Sequence, residues 1–440
     1  MSAARGSRPA LAPARACAFA VVRRVFEQGA YADRAFTAEA QDAGLDRRDR
    51  ALATALAYGT VQRKATLDHV ADLLSTRPTG ELDPPLLAAL RLGLYQLLFM
   101  GGVADHAAVN DSVELAKRAN RGGAGLVNAV LRRATREGRA IVDALTDDTP
   151  AGAAVAHSVP QWLAERWWSE LGEASARELM AHVNESAEAA LRVNTLVATP
   201  AEVSAELPVP AHPATELPEG LVVKGPFDAH GSELWRRGAI MPQSRGSMLA
   251  SRLLAPDPGQ RVLDLCAAPG GKTTHLAALM GDEGSITAIE RRPGRARALR
   301  ATCERMRASC VTVEVGDAAH ERPGEPGRTG FDGVLVDPPC SGLGTLQSRP
   351  DLRWRLSPEQ ISELGELQGR LLAAGAAATA PGGVLAYSVC TISRVEGDDV
   401  IERFLATHDS FAPQAPSRQL LPSTDGTDGF FLARLRRDDG

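Results

Sequence analysis

Short apolar runs alternate with longer stretches of helical periodicity from about residue 236 to the end of the chain. The apolar runs occupy residues 262–265, 286–290, 311–315, 334–337 and 384–388. Such alternation is typical of βα units, and it predicts a mostly parallel sheet covered by helices on both faces. One more apolar run, at residues 430–435, follows Asp428-Gly429 and predicts a last antiparallel strand at the sheet edge. We therefore expect an α/β domain of the Rossmann-like type at residues 236–440.

The preceding part of the chain divides into three regions. Residues 15–137 are poor in strand signals, and Leu87, Leu90, Leu94 and then Leu97 or Leu98 recur at helical spacing, which predicts an all-α bundle. Residues 143–159 are rich in Ala, Asp, Thr and Pro, as linkers are. Short helices and strands at 160–235 predict a small α+β module of the ferredoxin or RNA-recognition type. The predicted domains are thus 1–142, 160–235 and 236–440, with 143–159 as the linker.

Length and cysteine usage limit the classes of protein to consider. A chain of 440 residues is too long for one ordinary hydrophobic core, so several domains are expected. No apolar run approaches the roughly 20 residues that a membrane span needs. The six cysteines, at positions 17, 266, 303, 310, 340 and 390, form no Cys-x-x-Cys pair. These features predict a cytoplasmic protein with free thiols, no disulfide framework and no metal site.

Net charge is unevenly distributed along the chain. Residues 1–145 contain 20 Lys and Arg against 15 Asp and Glu, a balance of +5, whereas the remainder contains 29 against 39, a balance of −10. The N-terminal region is therefore the better candidate for contacts with a polyanion such as RNA. An ordinary solvated helical surface would produce the same balance, so charge alone leaves both interpretations open.

Acidic residues end the predicted strands, and a glycine-rich loop follows the first of them. The loop reads Cys266-Ala267-Ala268-Pro269-Gly270-Gly271-Lys272 and precedes a helical stretch, a layout that cradles a nucleotide cofactor. Glu290 ends the second strand and is suited to a ribose diol, while Asp317 follows the third and is suited to an adenine amine. The spacing fits a dinucleotide or S-adenosylmethionine. Because the loop lacks Gly-x-Gly-x-x-Gly and contains a lysine suited to a cofactor carboxylate, S-adenosylmethionine is favoured.

Two cysteines follow the fourth and fifth of these apolar runs, at residues 334–337 and 384–388. Cys340 ends the segment Asp337-Pro338-Pro339-Cys340, and Cys390 ends Tyr387-Ser388-Val389-Cys390. Either one alone is better explained as a small buried apolar residue at a strand end. Their joint placement downstream of the cofactor loop instead indicates thiolate chemistry on a pyrimidine.

Carbon 5 of cytosine is a poor nucleophile, and this explains why such chemistry needs cysteine. A thiolate added at carbon 6 makes carbon 5 reactive, and a base must then remove the carbon 5 proton so that the sulfur can leave. Asp337 is suited to bind the ring at N3 and its exocyclic amine while charge develops. The other cysteines are assigned to packing, apart from Cys266, which is expected to line the cofactor pocket.

These motifs, with Pro350-Asp351-Leu352-Arg353-Trp354, resemble those of the RNA cytosine-5 methyltransferases of the Sun, Fmu and RsmB type. The resemblance spans about the last 200 residues. It implies that Cys390 is the nucleophile and that Cys340 assists product release. DNA cytosine methyltransferases use the Pro-Cys cysteine as nucleophile, so the assignment follows from the resemblance. The implied cofactor contacts are Cys266, Ala267, Ala268, Pro269, Gly270, Gly271, Lys272, Glu290, Arg295, Asp317 and Asp337.

The N-terminal region resembles the NusB-type RNA-binding helical domain that is fused to RsmB-type 16S rRNA enzymes. The similar segments include Tyr58-Gly59-Thr60-Val61 and Val127-Asn128-Ala129-Val130-Leu131-Arg132, and Leu191-Arg192-Val193-Asn194-Thr195 resembles the family's small RNA-binding module. The resemblance implies an enzyme acting on 16S rRNA or a small-subunit assembly intermediate. We expect it to be a monomer that does not bind membranes. A tRNA cytosine-5 methyltransferase and a non-catalytic RNA-binding factor are the alternatives.

Three positions depart from the family pattern. The chain has Glu396-Gly397 where Glu-Asn is common, and Pro242-Gln243 where Gln-Asp is more frequent. Both affect the expected local contacts with substrate. Glu290 replaces the commoner Asp and keeps the hydrogen-bond acceptor.

Overall fold

The computed structural model describes residues 12–319 and 329–439. Contacts divide the chain into two compact units. The first comprises the described residues of Met1–Glu185 together with Leu346–Arg355, and the second those of Ser186–Thr345 and Leu356–Gly440. Every helix in the described ranges is too short or too polar to span a lipid bilayer.

The first unit is helical, as the sequence predicts. Its described part contains the α-helices α1 (Pro13–Gln28), α2 (Ala32–Asp42), α3 (Arg47–Gln62), α4 (Lys64–Leu74), α5 (Pro84–Phe99), α6 (Asp105–Ala119), α7 (Ala124–Asp143), α8 (Pro150–Ala156), α9 (Gln161–Leu171) and α10 (Glu173–His182). Helix α8 lies inside the segment that was expected to be a linker. Helices α9 and α10 belong to this unit, whereas the sequence analysis grouped them with the small α+β module.

Helix α5 is the centre of the helical unit. Two prolines occupy its first turn, where their missing N–H groups cost no hydrogen bond. Its side chains Leu90, Leu92 and Leu94 are fully buried, and it packs against α1, α3, α4, α6 and α7. The sequence predicts one apolar stripe on this helix, but the structure surrounds it on nearly every side, because five neighbouring helices cover it.

The segment Leu346–Arg355 belongs to the helical unit although it follows Cys340 in sequence. Its Arg353 side chain is fully buried, and it donates to the carbonyls of Ser158 and Val183 and to Asn184 Oδ1 at 2.9–3.2 Å. Trp354 Nε1 donates to the Val61 carbonyl at 2.7 Å. The Pro350–Trp354 motif, which the family resemblance attached to the catalytic region, therefore serves here to complete the helical core.

Replacing Arg353 with Leu should lower the free energy of unfolding by about 3 kcal/mol, because three buried acceptors lose a charged donor. Urea unfolding followed by tryptophan fluorescence measures the change. Arg136→Leu, on the exposed face of α7, should change it by less than about 0.5 kcal/mol. Equal effects of the two substitutions would contradict the anchoring role.

The second unit contains two sheets with their helices. In chain order the elements are β1 (Ala190–Val193), α11 (Pro200–Glu206), β2 (Ala211–Ala214), β3 (Leu217–Val223), α12 (Glu233–Arg236), β4 (Ile240–Pro242), α13 (Arg245–Leu254), β5 (Arg261–Asp264), α14 (Gly271–Leu279), β6 (Ser285–Glu290), α15 (Pro293–Arg305), β7 (Val311–Val315), β8 (Phe331–Val336), α16 (Pro358–Ala378), β9 (Thr379–Val389), α17 (Asp398–Leu405), β10 (Phe411–Pro413), β11 (Arg418–Leu420), α18 (Pro422–Asp425) and β12 (Phe430–Arg437).

The smaller sheet is antiparallel and has the strand order β2-β3-β1-β4. One of its faces buries Leu191, Leu221 and Ile240 in an apolar cluster that also includes Val203 of α11. Helix α11 begins with a capping box in which Thr199 and Glu202 satisfy each other's backbone N–H groups. This small α+β region is the part of the predicted module that the structure assigns to the second unit.

The larger sheet has the order β10-β12-β9-β8-β5-β6-β7, with β11 also pairing β12. Strands β7, β6, β5, β8 and β9 are parallel. The chain order reverses at β5, which lies between β6 and β8. In open α/β sheets ligands bind beyond the carboxyl ends of the strands at such a reversal, so the end of β5 marks the expected binding crevice.

Strand β12 is antiparallel to β9, as predicted, but its predicted position at the sheet edge is wrong. The short strands β10 and β11 both pair with it. Each has three residues, too few for a periodic apolar pattern to be visible in the sequence.

Candidate active site

The conformation of the loop between β5 and α14 depends on Gly270 and on the buried carboxylate of Asp264. Gly270 has φ +105°, and a Cβ there would lie 2.8 Å from Leu299 Cδ1, so the turn requires glycine. Asp264 Oδ2 accepts a hydrogen bond from Thr273 Oγ1 at 2.7 Å, which joins the end of β5 to the first turn of α14. The Ala267 N–H donates to the Ile289 carbonyl at 3.1 Å. The loop is thereby attached to both β5 and β6.

Burial raises the pKa of Asp264 to about 6, although the hydrogen bond from Thr273 acts in the opposite direction. In an unfolded chain an aspartate has a pKa of about 4. The folded state therefore binds this proton more tightly, and its contribution to stability is present at low pH and lost as the pH rises from about 4 through about 6.

Asp264→Asn should remove that pH dependence. Relative to the variant, the wild-type chain should lose up to about 3 kcal/mol of unfolding free energy between pH 4 and pH 7. Urea unfolding at a series of pH values, without cofactor, measures the difference. The exposed Asp257→Asn is the control, and a constant difference between Asp264→Asn and wild type across the pH range would contradict the assignment.

Two further carboxylates lie at the ends of β6 and β7. Glu290 is nearly buried; it accepts from the Arg292 N–H at 2.8 Å and pairs with Arg295 Nε at 3.4 Å. Arg295 also donates to the Ala268 carbonyl, so it connects Glu290 to the glycine-rich loop. Asp317 accepts from the Ala319 N–H at 3.1 Å and lies 3.6 Å from Arg291 Nη1. Glu290 and Asp317 therefore lie at the carboxyl ends of two adjacent parallel strands.

Cys266 lies in the same loop and is partly buried. Burial, followed by the charges of Asp264 and Asp337, raises the pKa of its thiol far above the usual range. The thiol is thus neutral at physiological pH, and its place in the cofactor pocket stays a prediction.

Lys272 pairs with Asp337, which differs from the cofactor carboxylate that the sequence suggested as its partner. Lys272 Nζ lies 2.7 Å from Asp337 Oδ2, and Asp337 Oδ1 accepts from Ser388 Oγ at 2.9 Å. Burial acts to lower the pKa of Lys272, but the charge and hydrogen bond of Asp337 and the charge of Cys390 raise it overall. Lys272 is therefore a protonated ammonium group that is paired with Asp337 and influenced by the charge of Cys390.

The two cysteine sulfurs lie 3.2 Å apart. They meet because β8 and β9 are parallel neighbours in which Val336 is opposite Tyr387, so the residues that follow both strands emerge at one edge. The hydrogen bond with Cys390, then burial and the charges of Cys390, Glu396 and Asp337, raise the pKa of Cys340 well above its usual value. Burial and the surrounding negative charges therefore favour the neutral thiol form of Cys340, which lies within hydrogen-bond distance of the Cys390 sulfur.

Ser388 is a site residue that was not predicted from the sequence. In a strand, alternate residues share a face, and Ser388 is two positions before Cys390, so the strand period offered a signal for it. Glu396 was noted only as part of a departure from the family pattern. In the structure, Glu396 accepts hydrogen bonds from Ser341 and Thr391, the residues that follow the two cysteines. Packing explains its neighbour Gly397, since a Cβ there would lie 2.9 Å from the Phe431 ring.

The motif around Arg192 is a structural anchor. Arg192 is fully buried; its Nε donates to Gln243 Oε1 at 2.8 Å and its Nη2 to Thr274 Oγ1 at 2.9 Å. Burial lowers its pKa to about 9. Gln243, the second departure from the family pattern, is thus a hydrogen-bond partner of Arg192, and Arg192 joins β1 to the start of α14. Asn194 is likewise buried and donates to the carbonyls of Gly238 and Met306.

Three family models match successive parts of the chain. The NusB family matches residues 12–136, a ferredoxin-like domain of RsmF/B-like methyltransferases matches 159–230, and the 16S rRNA methyltransferase RsmB/F model matches 251–436. The last of these covers the glycine-rich loop, the strand-end carboxylates and both cysteines.

Similar proteins span almost the whole chain. A probable ribosomal RNA small subunit methyltransferase B from Synechocystis sp. is 36% identical, over 96% of this chain and 99% of the relative. The ribosomal RNA small subunit methyltransferase B of Thermus thermophilus is 38% identical, over 89% of each chain. The crystal structure of PH0851 aligns with a TM-score of 0.82 and 28% identity, over 98% of this chain and 100% of the other.

Proposed function

This chain belongs to the RsmB/F family of S-adenosylmethionine-dependent rRNA methyltransferases, and on that basis we propose its reaction. The chain transfers a methyl group to carbon 5 of a cytosine in 16S rRNA. Cys390 forms a covalent bond to carbon 6 of the base during the reaction. The observation that carries this proposal is the pair of sulfurs 3.2 Å apart beside the Lys272–Asp337 ion pair.

The residues around the glycine-rich loop fit S-adenosylmethionine. Gly270, with φ +105°, makes the turn of the loop. Glu290 is suited to accept from the ribose hydroxyls, and Asp317 from the adenine amine. Arg295 holds Glu290 and the loop together. When bound, the cofactor supplies an electrophilic methyl group to the substrate carbon.

Lys272 supports the role of Cys390 as nucleophile. The thiolate is the reactive form of cysteine, and the charge of Cys390 is among the causes that raise the pKa of Lys272. The ammonium group and a Cys390 thiolate therefore stabilise each other. Asp337, which Lys272 and Ser388 orient through both oxygens, accepts from the exocyclic amine of the cytosine.

Cys340 acts as the base after methyl transfer. Once Cys390 is bonded to carbon 6, its negative charge and its hydrogen bond to Cys340 are lost, and both were causes of the raised Cys340 pKa. Cys340 then releases its proton to solvent more easily, and the resulting Cys340 thiolate accepts the proton from carbon 5. The electron pair of that C–H bond restores the C5–C6 double bond, and the C6–S bond breaks to return Cys390 as a thiolate.

The cysteine roles predict opposite effects of two substitutions. Cys390→Ser should form no adduct with RNA containing 5-fluorocytosine, because serine is not ionised near neutral pH. Cys340→Ser should accumulate a covalent adduct with unmodified RNA, because the carbon 5 proton is not removed. Denaturing gel electrophoresis detects the adducts, with Cys310→Ser as the control for a cysteine outside the site. An adduct that survives in Cys390→Ser would remove that residue as the nucleophile.

Substrate class is tested with purified RNA. The wild-type chain should form 5-methylcytosine in 16S rRNA from cells lacking this modification, measured by nucleoside mass spectrometry. Transfer to tRNA alone would favour a tRNA enzyme, and the absence of transfer to every RNA would favour a non-catalytic RNA-binding protein.

The helical unit is proposed to contact the RNA backbone. A groove of about 890 Å³ between α6 and α7 is lined by the basic residues Lys117, Arg121 and Arg132, together with the acidic residues Asp105 and Glu114. The N-terminal region also has the positive charge balance. Monomeric state and cytoplasmic location stay predictions from the sequence.

Replacing Lys117, Arg121 and Arg132 together with Gln should weaken RNA binding and reduce the salt dependence of affinity. The slope of log affinity against log salt should fall by about 2, at about 0.7 for each lost contact to single-stranded RNA. Filter binding at several salt concentrations measures it. A matched triple Gln variant of the exposed Arg297, Arg300 and Arg307 should change the slope less; an equal change would contradict the assignment to the groove.

A further inference from the structure

Glu396 is a fully buried glutamate in the segment that follows Cys390. Its exposed fraction is 0%, and it ends a short 3-10 helix, Arg394–Glu396. A buried carboxylate is costly unless its oxygens accept hydrogen bonds. Its surroundings therefore indicate what it does.

Four donors satisfy the Glu396 carboxylate. Oε1 accepts from the Ser341 N–H at 2.8 Å and from Gln368 Nε2 at 3.0 Å. Oε2 accepts from Ser341 Oγ at 2.5 Å and from Thr391 Oγ1 at 2.9 Å. The Ser341 and Thr391 hydroxyls also lie 2.7 Å from each other. One side chain thus closes a hydrogen-bond network in which both of its oxygens are used.

The network connects the residues next to the two sulfurs. Ser341 directly follows Cys340, and Thr391 directly follows Cys390. Gln368 of α16 adds a bond to the Pro339 carbonyl at 2.9 Å, on the other side of Cys340. The Tyr387 hydroxyl donates to the Glu396 carbonyl at 2.6 Å, which ties Glu396 to β9 itself. The segments carrying Cys340 and Cys390 are therefore joined to each other through Glu396, beyond the point where the β8–β9 ladder ends.

We propose that Glu396 is a positioning residue that fixes the separation and direction of the Cys340 and Cys390 sulfurs. It touches neither sulfur in the hydrogen-bond network; it acts through Ser341 and Thr391. This inference rests on the proposed function, in which one sulfur bonds to carbon 6 and the other accepts the proton from carbon 5. The two events need both sulfurs on one base, and a displacement of about 1 Å can cost on the order of 100-fold in rate.

Electrostatics agree with this placement. The pKa of Cys340 is raised most by its hydrogen bond with Cys390, then by burial and by the charge of Cys390. The charge of Glu396 raises it further. Glu396 therefore also favours the protonated form of Cys340 before the adduct forms.

The first test measures how fast the Cys340 and Cys390 thiols form a disulfide in the absence of substrate. Diamide, a diazene oxidant, takes two hydrogens from two thiols to give one disulfide and a hydrazine. In wild-type protein it should join Cys340 to Cys390, as mapped by peptide mass spectrometry. Glu396→Ala should slow formation of this disulfide at least about tenfold, because the two segments lose their common acceptor.

Glu396→Gln should stay within about threefold of wild type, because the amide can replace the carboxylate in this network. Its oxygen accepts from the two N–H donors, and its NH₂ group donates to the Ser341 and Thr391 hydroxyls, which can also accept. Glu363→Ala, at an exposed glutamate on α16, should leave the disulfide rate unchanged.

The second test measures catalysis in the same variants. Glu396→Ala should lower kcat by about 100-fold with little change in the KM for RNA, and Glu396→Gln should restore most of kcat. A loss of thermal stability alone would predict neither the rescue nor the selective change in kcat.

The outcomes separate this inference from the proposed function. If wild-type protein transfers no methyl group, the proposed reaction fails while the disulfide rates still report on Glu396. If folded Glu396→Ala keeps the wild-type disulfide rate and kcat, the positioning role is overturned. If that variant does not fold, Thr391→Val removes one donor on the Cys390 side only; it should slow the disulfide about threefold, and a folded Thr391→Val with wild-type rates would equally overturn the role.

Discussion

Parallel pairing of β8 with β9 is the interaction on which the site depends. Val336 lies opposite Tyr387 in this ladder, and the two chains therefore leave the sheet side by side with the same direction. Asp337 then meets Ser388, and Cys340, three residues after Asp337, meets Cys390, two residues after Ser388. A slip of one residue would turn every side chain of the slipped strand to the opposite face of the sheet and would separate the sulfurs.

Buried polar side chains extend this arrangement beyond the strands. Asp264 joins the glycine-rich loop to α14, Arg192 joins the small sheet to the same helix, and Glu396 joins the two cysteine segments. Each is costly to bury alone and has several hydrogen-bond partners. Hydrogen bonds thus fix the segments that lie beyond the ends of the strands. Chemistry at strand ends requires these segments to be held in place.

Much of the fold was predictable, because apolar periodicity reports directly on burial. The five parallel strands, the helical N-terminal region and the antiparallel direction of β12 follow from it. Features without such a periodic signal were missed: helix α8 in an Ala-rich segment, the three-residue strands β10 and β11, and the burial of α5 on nearly every side. The segment Leu346–Arg355 shows the same limit, since no local pattern says that Arg353 completes a core formed by residues far away in sequence.

In the site, too, local patterns were predictable from the sequence and long-range contacts were not. Strand boundaries and motif spacing are local properties, so the amino-acid order was enough to identify the residues that end the strands, among them Asp337, Cys340, Glu290 and Cys390. Their partners became visible in the folded chain alone: Lys272 with Asp337, Cys340 with Cys390, and Glu396 with Ser341 and Thr391. Except for the contact between Glu396 and Thr391, those contacts join residues that are 50 to 65 positions distant in sequence. They depend on strand order and register, which local sequence does not encode.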